Sequence, residues 1–157
     1  MMSSPPAQPF RSRLAAWIYI GIAMPSLVLG AIYLLRPTFM PYHAVALGKE
    51  WAELDAATQA LIKALMEVAA GGWLALGTLI LFLVAFPMRA GERWARWAAP
   101  IASLLVYVPT FLATLSVYQQ TPATPPWRAN LGVCVAALVA LFLDAPWQRS
   151  STSRTAP

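Results

Sequence analysis

The chain has 157 residues, of which 59% are apolar and only 11% charged, and it carries a formal net charge of +5. Soluble domains hold roughly 45–50% apolar and about 25% charged residues, and a globule this small lacks the interior to hide so much hydrocarbon. The composition therefore excludes an ordinary water-soluble domain, and the basic residues, mostly arginines at the ends of apolar runs, lack the stripe of a nucleic-acid surface.

Residues 1–10, MMSSPPAQPF, are rich in proline and serine and are expected to be a disordered tail. Leu14 to Leu35 then runs without a charge. A bilayer core needs about 20 helical residues, and only a helix lets a lone apolar segment satisfy its own backbone in hydrocarbon. Arg11 and Arg13 would suit a signal peptide, but the run exceeds the usual 7–15 residues of such a core and no A-x-A site follows, so a retained span is expected.

The segment FMPYHAVALGKEWAELD, Phe39 to Asp55, holds the single histidine and half of the acidic residues. It is expected to be an extramembrane loop without a rigid scaffold, in which Glu50 to Leu54 form one turn with Trp51 and Leu54 facing lipid. Asp55 reads as the N-cap of a helix that continues through AATQALIKALMEV into the second apolar run, Val68 to Phe86.

PMRAGERWARW, Pro87 to Trp97, is an arginine-rich connection to the third run, Trp97 to Tyr118. The proline-rich link QQTPATPPWR should be stiff and keep the third and fourth spans adjacent. The fourth run, Ala129 to Leu143, is short, yet Pro126 suits a first helical turn. Trp127 and Trp147 would lie roughly 30 Å apart on a helix, the separation of two interfacial belts, with Arg128 and Asp144 reaching the headgroups. Residues 148–157 are expected to be a second disordered tail.

The expected fold is all-α: one polytopic membrane domain over residues 1–157, with four transmembrane helices at about 14–35, 64–86, 97–118 and 127–145 in a small bundle. Arg11, Arg13, Arg89, Arg93, Arg96, Arg149 and Arg154 fall on one side, against Arg36, Lys49, Lys63 and Arg128 on the other. The larger set marks the cytoplasmic side, which places both termini there. The preference for arginine over lysine, with abundant alanine and proline, is what GC-rich codons produce and points to a bacterial inner membrane.

Small residues mark close approach of helices in lipid. Gly132, Ala136 and Ala140 recur at four-residue steps in the fourth span, and Gly71 and Ala75, beside Gly72, in the second; the two faces are expected to pack together or to join copies or a partner subunit. Pro25 and Pro109 should kink the first and third spans, with Ser26 and Thr110 bonding freed backbone groups, and Tyr33, Tyr107, Thr114 and Tyr118 could line an outward pocket.

Gln59, Lys63 and Glu67 share one helix face and form a candidate solute or proton site, since ionisable groups near membrane depth are functional candidates. His43, with Tyr42, Glu50 and Glu53, forms a candidate outer-loop site. Metal-ligand spacing such as HxxxH is absent, Cys134 stands alone in an apolar run, and no catalytic motif is found, so no metal, cofactor or enzymatic activity is expected.

The elements FMPYH, GGW at Gly71 to Trp73, and TPATPPW resemble the loop signatures of small, uncharacterised four-helix proteins of bacterial inner membranes. That resemblance is architectural and implies no activity. Small multidrug exporters also have four spans but place a glutamate in the first helix, where this chain has none. The expected role is a structural or accessory subunit of a membrane assembly, with a minimal transporter or a solute- or lipid-binding bundle using Glu67 as the alternative.

Overall fold

A computed structural model describes residues 10–147; both expected tails lie outside the described residues, apart from Phe10, which opens the first helix. In chain order the elements are α1 (Phe10–Leu35), α2 (Pro41–Leu47), a 3-10 turn (Trp51–Glu53), α3 (Ala56–Ala85), α4 (Arg93–Gln120) and α5 (Trp127–Asp144). Four of them, α1, α3, α4 and α5, are long and apolar enough to cross a membrane. Each of the first three overruns its uncharged stretch, because a helix keeps its own hydrogen bonds as it passes into the headgroup layer. Asp55 caps α3, its carboxylate accepting from the Thr58 amide at 3.0 Å and from the Thr58 hydroxyl at 2.6 Å.

The four long helices form a ring in which α1 packs most extensively on α3, α4 packs on α5, and α1–α5 and α3–α4 contacts close the circuit. Buried positions on α3, namely Met66, Ala70, Trp73, Gly77, Ile80 and Val84, recur at alternating four- and three-residue steps. Ala15, Tyr19, Ile22, Ser26 and Tyr33 follow a similar spacing on α1, as in the seam of two helices that wrap left-handedly.

This ring corrects the expected pairing of Gly71 and Ala75 with Gly132, Ala136 and Ala140. Helices α3 and α5 stand across the ring and share no extensive interface. Gly71, Gly72, Ala75 and Gly132 are exposed, Ala136 is half-buried and only Ala140 is fully buried. The close crossing lies elsewhere, at Gly30 and Gly77. A Cβ on Gly30 would fall 3.0 Å from the Ala70 carbonyl oxygen, and one on Gly77 would fall 2.9 Å from that of Ala23. The two glycines thus let α1 and α3 approach reciprocally, each lying against the other helix's backbone.

Pro25 and Pro109 sit within continuous helices. The hydroxyls that follow them donate one turn back, Ser26 to the Ile22 carbonyl at 2.7 Å and Thr110 to that of Val106 at 2.7 Å. Because the Ser26 proton is committed to Ile22, its contact of 2.8 Å with the Tyr107 hydroxyl makes Tyr107 the donor, which ties α4 to α1 through the buried centre of the ring.

Candidate functional site

At the end of the bundle opposite Phe10, the connection from α1 to α3 is built rather than loose. Pro41 opens α2 and Gly48, at φ 64°, closes it in the left-handed conformation that glycine adopts without strain. Glu53 accepts from the Glu50 amide at 2.7 Å, half of a reciprocal capping box that forms the 3-10 turn. Trp51 and Leu54, expected to face lipid, instead turn inward against the core, with the Trp51 ring edge-on to Phe39 at 5.2 Å.

The polar face of α3 holds this connection down. Gln59 donates to the carbonyls of Trp51 at 2.8 Å and Leu54 at 3.1 Å, and Lys63 donates to that of Arg36 at 2.7 Å. The bonds tie the carbonyls of this irregular backbone to α3, that of Trp51 accepting from the Leu54 amide at 3.3 Å as well. Glu67, half exposed, stands 3.9 Å from Lys63. Gln59, Lys63 and Glu67 thus form a row along α3, two of them bound to backbone carbonyls, and none lines the apolar pocket beside them.

That pocket has a volume of about 330 Å³. Tyr33 from α1, His43 and Leu47 from α2, Ile62, Leu65, Met66 and Ala69 from α3, and Val117 from α4 line it, so its wall is almost wholly apolar. The polar atoms belong to an aromatic cluster at one side. Tyr33 and Tyr42 are hydrogen-bonded through their hydroxyls, and the His43 ring stands edge-on to Tyr42 at 4.3 Å, Phe39 at 6.1 Å and Tyr33 at 6.4 Å. Tyr33 in turn packs on Trp73 at 4.8 Å, whose buried indole nitrogen has no hydrogen-bond partner among the described residues. Such edge-to-face contacts hold rings in fixed orientations and leave a rigid wall.

His43 and Tyr42 are therefore neighbours, as expected, but Glu50 and Glu53 are not with them. The two glutamates line a separate surface cleft with Arg36, Thr38 and Lys49. Among the described residues no three His, Cys, Asp or Glu side chains gather as metal ligands. The four residues expected to line one outward pocket also divide: Tyr33 lines it, Tyr107 bonds Ser26, Thr114 accepts from Asn130 at 3.0 Å, and Tyr118 stacks on Trp127 at 5.6 Å.

Burial pushes the His43 imidazole below its ordinary value of 6.5, and burial with the Tyr33 contact raises the Tyr42 phenol. With its folded value lowered, His43 stays neutral in the fold while the unfolded chain takes up a proton below 6.5. Stability of this end is thus full above that pH and falls as pH drops towards the folded value. Protection factors of the amides across residues 41–54, that is, exchange corrected for the intrinsic rate at each pH, should fall on acidification below 6.5, and His43→Phe, which keeps the ring edges, should flatten that response.

At the opposite end lies a pair that sequence reading missed. Asp144, expected to reach the headgroups, is buried with its side chain 1% exposed, and it sits 3.4 Å from Arg96. The fourth apolar run is short because its last turn carries this acid inward; an acidic residue ending a short run, set against an arginine-rich turn, was the available signal. No family, no curated protein and no solved structure matches this chain.

Proposed function

We propose that the protein is a non-enzymatic accessory component of a bacterial inner membrane, with both termini cytoplasmic, that shelters an apolar, lipid-borne molecule at its outer end. The observation that carries this reading is the apolar pocket between α2, α3 and α4, with Tyr33 and His43 at its polar side. A concave apolar wall with a few convergent polar groups is the usual form of a small-molecule site. Arginines concentrated at the Phe10 end support the orientation.

A second reading, assembly with copies of itself or with a partner subunit, is favoured by the open faces at Gly71, Gly72 and Gly132, where a Cβ would meet nothing within 4 Å. One experiment separates the two. In native mass spectrometry after gentle extraction, the first reading expects a small apolar mass on the protein that is lost in Ala69→Phe, which fills the pocket. The second expects a larger assembly that Gly72→Leu or Gly132→Leu dissociates. A bare monomer unaffected by any of these substitutions would remove both.

A further inference from the structure

The Phe10 end of the bundle holds a second cleft, of about 450 Å³, where the start of α1, the end of α3, the start of α4 and the end of α5 meet. Ser12, Arg13, Arg89, Arg96 and Asp144 line it, and Trp17 and Ile20 of α1 continue it as an apolar wall. We propose that this cleft binds the phosphate headgroup of an anionic phospholipid whose headgroup also carries hydroxyl donors, as phosphatidylglycerol does.

Three observations converge. The first is charge: Arg13 and Arg96 alone already outnumber the one carboxylate on the wall, so the cleft keeps a positive excess that favours an anion over a zwitterion. Guanidinium forks suit the paired oxygens of a phosphodiester, and basic pockets between membrane helices are sites for anionic headgroups.

The second is Asp144. Arg96 neutralises it at 3.4 Å and the Ser12 hydroxyl flanks it, yet neither carboxylate oxygen meets a donor in full hydrogen-bond geometry among the described residues. An ionised carboxylate only accepts, and burial without partners is costly. An occupant that brings O–H groups satisfies it, so the phosphate seats on the arginines while headgroup hydroxyls donate to Asp144.

The third is depth. Trp17, Trp94, Trp97 and Trp147 are all exposed at this end, the arrangement of an interfacial aromatic belt, which puts the cleft at headgroup level. Trp17 and Ile20 beside it give an acyl chain a surface to lie against. A free phosphate ester has no use for that surface.

The test uses the full chain in neutral detergent. Thermal unfolding and native mass spectrometry are run with added phosphatidylglycerol, phosphatidylmethanol, phosphatidylethanolamine, phosphatidylcholine and soluble glycerol phosphate. Phosphatidylglycerol should be retained and raise the melting temperature, with phosphatidylcholine and glycerol phosphate weaker. Arg13→Gln, an exposed position outside the Arg96–Asp144 pair, should weaken phosphatidylglycerol retention by about tenfold without changing the lipid-free melting temperature. The parent protein should also prefer phosphatidylglycerol to phosphatidylmethanol, an anionic lipid of equal charge without headgroup hydroxyls, and Asp144→Asn should lessen that preference. Equal retention of all lipids, or full retention by Arg13→Gln, overturns the proposal; glycerol phosphate binding as tightly as the lipid overturns the lipid as its source.

Discussion

Gly77→Leu is expected to unlatch α1 from α3 and to lower the stability of the bundle by about 3 kcal/mol or more. The first added atom alone would lie 2.9 Å from the Ala23 carbonyl oxygen and 2.7 Å from the Leu27 side chain. Leu27 can rotate, but a carbonyl cannot withdraw without moving its helix. The two helices must therefore separate along the seam they share, and Gly30, facing Ala70 in the same way, loses its contact too. Because interiors are close-packed, the gap opened beside the leucine cannot be refilled by small adjustments. Unfolding in detergent measures the loss. Gly71→Leu and Gly132→Leu are the controls, since a Cβ there meets nothing within 4 Å, and each should stay within about 0.5 kcal/mol of the parent protein. Equal losses at all three glycines would show that the crossing is not where the chain is sensitive.

Arg96→Leu should cost about 3–5 kcal/mol, because it leaves the Asp144 carboxylate buried with its countercharge gone. Removing one partner of such a pair exposes the full desolvation penalty of the other. Arg96→Leu combined with Asp144→Leu should accordingly be milder than Arg96→Leu alone, since the apolar pair needs no countercharge. A double variant as unstable as the sum of its parts would mean that the two side chains act independently despite their 3.4 Å separation. Arg93 gives the same corner a second tie, donating to the Pro146 carbonyl at 2.8 Å, so α4 and the end of α5 should stay joined in every variant that keeps it.

Several local features were legible in the chain before any fold was known. Asp55 as an N-cap needs only its neighbour Thr58. The hydroxyls after Pro25 and Pro109 reach carbonyls one turn away. The helix α2, opened by Pro41 and closed by Gly48, was not among them, since a loop without a rigid scaffold is expected there from sequence. The candidate site was legible only in part. His43 and Tyr42 are adjacent in sequence, but the pocket beside them draws its wall from three further helices, and Glu50 and Glu53, though close along the chain, open onto a different cleft.

Span number and helical character followed from the order of residues, because a bilayer imposes one length on every apolar run and one way of satisfying its backbone. Which face of each span turns inward was decided only by assembly. In water the apolar face identifies itself, but here lipid and core are equally greasy, so periodicity marks neither; Gly71 and Gly77 read alike until one lies against a carbonyl and the other against nothing. Asp144 and Arg96 belong to different helices, and their pairing depends on how α4 and α5 are set side by side.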